Sequence, residues 1–137
     1  MEIFKNQYYA LAFDAESSIL TYTAFPETEN MTEEEFENGM LNTSEVIEKL
    51  KPKFFLSDSR EQYITIVPQM QEWVAQNIYP RWYGAGLKKL AIAIPHELVA
   101  NLSMQQVVDE VEGIKEASAY EIRYFESDVS AKRWLLQ

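Results

Sequence analysis

Two short stretches hold the side chains best suited to chemistry. Ser57-Asp58-Ser59-Arg60 follows the apolar run that begins at Lys53, and Pro95-His96 follows Leu90-Ala91-Ile92-Ala93-Ile94. His96 is the only histidine. If the two runs are neighbouring strands, Asp58 and His96 come close together. A carboxylate beside an imidazole raises the imidazole pKa and can orient it as a general base. Nothing nearby supplies a third member for a nucleophilic triad or an oxyanion device, and His96 after Pro95 equally suits the start of a helix. A metal site is poorly supported. There is no cysteine, and Glu33, Glu34, Glu35 and Glu37 point in different directions around a helix. Gly84-Ala85-Gly86 lacks the lysine-serine or the third glycine of a phosphate loop. No catalytic residue, metal or cofactor is assigned from these patterns.

Binding offers more candidates. Trp82 and Tyr83 follow Tyr79, Pro80 and Arg81, and tryptophan, tyrosine and arginine dominate protein hot spots. If exposed, this stretch anchors a partner; if buried, it is core. The formal net charge is −10 over 137 residues. Eleven acids and one base lie between Met1 and Glu48, whereas the remainder carries eleven of each. The acidic third is either a face for a basic partner or a solvated helix start, where carboxylates meet free amides. That balance argues against nucleic acid as the partner, which needs concentrated lysine and arginine. No run approaches the roughly 20 apolar residues of a membrane helix. No secretory leader is visible at Met1–Asp14. Membrane insertion is therefore not expected, and the lack of cysteine suits a cytoplasmic protein.

The elements that position these residues follow from periodicity. Gln7–Asp14 and Ser18–Phe25 read as strands joined by Ala15-Glu16-Ser17, an antiparallel hairpin. Thr32 and Glu35 form a capping box for a helix running to about Leu50, with Phe36, Met40, Ile47 and Leu50 as its buried stripe. Lys53–Asp58 reads as a buried strand, and Arg60–Val67 fits either a strand or a packed loop. Pro68 opens a second helix carrying Met70, Val74 and Ile78, with Trp73 beside them, and Pro80 ends or kinks it. The continuous apolar run Leu90–Ile94 suits a central parallel strand. A third helix follows Pro95, with Ser103 and Gln106 as a capping box and Val107, Val111 and Ile114 repeating. Tyr120–Phe125 is a strand, and Ser127 or Asp128 caps a last helix carrying Ala131, Trp134 and Leu135. This order predicts an α/β fold over a single domain, residues 1–137. It has one mixed five-stranded sheet, antiparallel at its N-terminal hairpin and then mainly parallel, with four helices on its faces.

The order and several of its segments resemble the SpoIIAA-like group, which takes in STAS domains and the sheet-and-helix part of CRAL-TRIO proteins. The likeness is carried by Phe54-Phe55-Leu56-Ser57-Asp58-Ser59-Arg60, Pro68-Gln69-Met70-Gln71-Glu72-Trp73, Lys88-Lys89-Leu90-Ala91, and Arg123-Tyr124-Phe125 with Ala131 and Trp134-Leu135. It is nearest to short bacterial members without assigned activity. Anti-sigma-antagonist members carry a phosphorylatable serine in an Asp-Ser-Ser-Gly-like turn before a helix. Here that place reads Thr65-Ile66-Val67-Pro68, and Asp58-Ser59 comes too early, which disfavours a serine switch at Ser59. The resemblance implies a non-enzymatic domain that binds another protein, with homodimerisation as a further expectation. The alternative is a carrier of a small apolar molecule or lipid, and the third reading is an enzyme using Asp58 and His96. Ligands of open α/β sheets collect beyond the carboxyl ends of parallel strands. Asp58, Ser59, Arg60 and His96 are therefore candidates there, with Trp82 and Tyr83 on the aromatic stretch.

Overall fold

The computed structural model describes residues 1–112 and 120–137. Its first element is one that periodicity passes over: Glu2–Lys5 forms a short strand, β1, paired antiparallel with β2, Tyr9–Asp14. Four residues are too few for alternation to declare itself. The turn between them is held by Asn6, whose side-chain oxygen accepts from the amides of Tyr8 and Tyr9. Among the described residues the sheet therefore has six strands rather than the expected five.

Strand β3 (Ile19–Ala24) closes the antiparallel part, and β4 (Phe54–Asp58), β5 (Lys89–Ala93) and β6 (Glu121–Phe125) continue parallel to it. The spatial order is the chain order, β1 to β6. Parallel crossovers are right-handed almost without exception, so three made in the same direction put their helices on one face. That face receives α1 (Glu33–Leu50), α2 (Pro68–Asn77), α3 (Tyr79–Gly84) and α4 (Leu98–Glu112). The main core forms there: Phe36 and Ile47 of α1, Val74 of α2, Trp82 of α3 and Val107 of α4 meet Leu11, Leu20, Phe55, Leu90 and Ile92 of the sheet. Among the described residues only α5 (Asp128–Leu135) crosses behind the sheet. Its Ala131, Trp134 and Leu135 pack on Ile19, Leu56 and Ala91 in a second, smaller cluster. Both faces of β5 are thus covered, which accounts for its unbroken apolar run.

Local chemistry sets the boundaries. Thr32 accepts from the Glu35 amide and Glu35 accepts from the Thr32 amide, the expected capping box. The helix ends at Lys51 in the left-handed region, φ 50°, just before Pro52. Helices α2 and α3 are two halves of one rod broken at Ile78, two residues before Pro80, which has no amide proton to continue the ladder. The segment 60–67 is a packed coil, not a strand. The expected Ser103–Gln106 capping box is absent because α4 starts a turn earlier. Both carboxylate oxygens of Glu97 accept from the amides of Val99 and Ala100 there. Ser103 instead lies buried inside α4, accepting from the Ile66 amide and donating to the Ala100 carbonyl. The Val111 side chain and Ile114 lie outside the described residues.

Candidate functional site

The ends of β4 and β5 are sewn together rather than opened into a crevice. The Ser59 amide donates to the Ala93 carbonyl at 2.9 Å, and the His96 amide donates to the Arg60 carbonyl at 3.1 Å. The strand order never reverses, so the sheet lacks the switch point at which such clefts arise. Asp58 and His96 border one shallow depression together with Thr23, Pro26 and Glu61, yet they do not pair. Arg60 grips Asp58 with a two-pronged contact, Nε to Oδ1 and a terminal nitrogen to Oδ2, both 2.8 Å. The same terminal nitrogen lies 3.4 Å from Asp128 at the start of α5. Bonding to Asp58 drives the guanidinium pKa further up, so Arg60 stays charged. Two carboxylates around one guanidinium leave no free positive charge for an anionic ligand. His96 is exposed, and its Nδ1 is 3.8 Å from Glu61 Oε1. The expected Asp58–His96 dyad is therefore not formed, because each side chain has another partner.

Ser59 is wholly buried, its hydroxyl 2.9 Å from that of Ser57, and is closed to a kinase in this conformation. Trp82, a candidate surface anchor, is core: it is 3% exposed and donates its indole N–H to Ser44 at 3.0 Å. Its ring stacks on Tyr79 and meets Phe55 edge-on. A helical step of about 100° separates neighbouring side chains, and Tyr83 accordingly faces solvent at 45% exposure.

The feature that sequence reasoning missed lies under the helical layer. A cavity of about 50 Å³ opens between the sheet and helices α1 to α4. Phe55 and Leu90 form its floor, with Phe36, Met40, Trp82 and Met104 around it. One end differs. Tyr22 and Ser57 are register partners on β3 and β4, one pleat beyond Phe55, and Gln62 follows in the coil. Gln62 is 4% exposed, and neither its amide nor the Tyr22 hydroxyl makes a side-chain hydrogen bond among the described residues. No fully enclosed side-chain nitrogen or oxygen among those residues lacks a partner. The unpartnered polar atoms of Gln62 and Tyr22 are therefore not enclosed, and both side chains line the cavity. Burial pushes the Tyr22 pKa up, so its hydroxyl remains a neutral donor.

Among the described residues no charged side chain lines this chamber, and no group of three or more potential metal ligands exists. The arrangement can hold a small apolar body and hydrogen-bond one end of it. One signal for it was present in the sequence: Ser57 alternates with Phe55, so a hydroxyl lies on the same face of the strand as that core ring. Compared with family models, curated proteins and solved structures, the chain matches none.

Proposed function

We propose that the chain is a binding module, and that its ligand is a small, mostly apolar molecule seated between the sheet and helices α1 to α4. The observation that carries this reading is the chamber itself, mostly apolar in its lining and with Tyr22, Ser57 and Gln62 gathered at one end. At the tip of the sheet Asp58 and Arg60 are engaged with each other in a contact that holds the fold, which supports binding over catalysis. Native mass spectrometry of freshly purified protein tests the proposal, with a co-purifying small-molecule mass expected. An empty chain whose melting temperature is unmoved by a library of small apolar compounds overturns it.

A second reading, docking of another protein, rests on the first turns of α4. Leu98, Val99 and Leu102 are 69%, 50% and 51% exposed there, an apolar group at the surface. A partner recovered by the native chain and lost with Leu98→Lys and Leu102→Lys supports this reading. Tyr83→Ala should then leave recovery unchanged. Kinship with the SpoIIAA-like group and a cytoplasmic location belong to the same proposal. A mixed sheet with helices on both faces supports the former. Among the described residues no helix is long and apolar enough to cross a membrane.

A further inference from the structure

The polar end of the chamber has a definite chemistry, and the chamber itself has a definite size. It offers a phenolic hydroxyl from Tyr22 and a carboxamide from Gln62, which between them both donate and accept. Among the described residues no lysine, arginine or histidine lines it to neutralise an anion, and no carboxylate to neutralise a cation. Burying an unpaired charge costs far more than burying a polar group whose hydrogen bonds are met. Resting on the proposal above, we infer that the chamber selects an uncharged molecule with a hydrocarbon body and one hydrogen-bonding head, of the alcohol, phenol or primary-amide class. Carboxylic acids and amines are rejected at neutral pH, fatty acids among them.

Size follows from what can move. As it stands the cavity has room for one or two waters, at about 30 Å³ each in the liquid. A single aromatic ring needs a cavity of roughly 150 Å³. Met40 and Met104 both border the space, and methionine is the apolar side chain that most readily changes shape to fit. Their displacement enlarges the chamber to ring size, with the hydrocarbon toward Phe55 and Leu90 and the head at Gln62. Entry of the ligand therefore reads out at two methyl groups.

Three probes of one size separate the terms: phenol with a neutral head, benzoate with a charged one, and benzene with none. Titration of the full chain at pH 7, followed at the methionine methyl resonances, is expected to show saturable phenol binding that shifts Met40 and Met104. Benzene should bind more weakly, and benzoate not at all. Gln62→Leu and Tyr22→Phe keep the shape of the site, so each should weaken phenol about five- to tenfold, the worth of one buried hydrogen bond. Benzene affinity should be unaltered. Benzoate binding as tightly as phenol, or phenol binding equally to all three proteins, overturns the assignment of the head group while leaving the site intact. Failure of all three probes to move either methyl group overturns the site itself.

Discussion

Trp82 sits where the sheet, α1 and α3 meet, so its removal opens a void that no neighbour can fill. Trp82→Ala is expected to cost about 3–5 kcal/mol in urea unfolding. Tyr83→Ala, one residue on but at the surface, should stay within about 0.5 kcal/mol. Equal losses would place the two side chains in the same environment and contradict the packing. Arg60→Ala should cost about 1–3 kcal/mol because it strands the largely buried Asp58 carboxylate. That is less than for a fully buried pair, since a third of the Arg60 side chain reaches solvent. The residues with chemical potential were easy to find in the sequence, but their partners were not. Asp58 was matched to His96 by strand adjacency, whereas the actual partner, Arg60, is two residues away in the chain. Such a short-range pairing depends on the turn at Arg60 and Glu61 that follows the strand, which no residue type announces.

At the level of elements, capping shows which signals travel through sequence alone. The Thr32–Glu35 box was legible because it uses one carboxylate oxygen of Glu35 and leaves the other to accept from Tyr8. Ser103 and Gln106 have the same spacing but different employment. Ser103 bonds the Ile66 amide, and Gln106 accepts from Gln71 at 2.7 Å. Two experiments separate the roles. Thr32→Ala and Glu97→Ala should each cost about 1 kcal/mol, the usual worth of a cap. Ser103→Ala should cost about 1–3 kcal/mol, because it orphans a buried amide in a different element. In hydrogen exchange only Ser103→Ala should expose the Ile66 amide, 37 positions away in the chain. Protection at Ile66 that survives the substitution would return Ser103 to a purely local role. The covered strand Leu90–Ile94 was readable from composition, and β1 was not, for a four-residue edge strand takes its conformation from its neighbour.

For the whole molecule, acid stability joins distant parts of the fold. Glu35 is held below its usual pKa chiefly by the Tyr8 hydroxyl, 2.6 Å away, and then by the Thr32 amide. Glu48 is lowered by Arg81 of α3, and Asp14 by Ser17 in the hairpin turn. A carboxylate with a depressed folded pKa contributes stability that is fully present above its unfolded value. That contribution is lost as pH falls through the folded value. The melting temperature should thus be flat in this respect above about pH 5 and decline below about pH 4. Glu35→Gln and Glu48→Gln should each make that acid decline shallower, and unchanged acid limbs in both would refute the linkage. The α/β class and the change from antiparallel to parallel strands were legible beforehand. The chamber was not, because an internal void is set by how four helices settle on the sheet rather than by any one segment. The uninterrupted march of strands, each beside its predecessor, also bears on biosynthesis. As the polypeptide leaves the ribosome, every new ribbon meets a template already built, so assembly can proceed by accretion from one edge. Among the described elements α5, reaching back beneath β4 and β5, must wait for those strands, so it acts as a clasp over pairings already made.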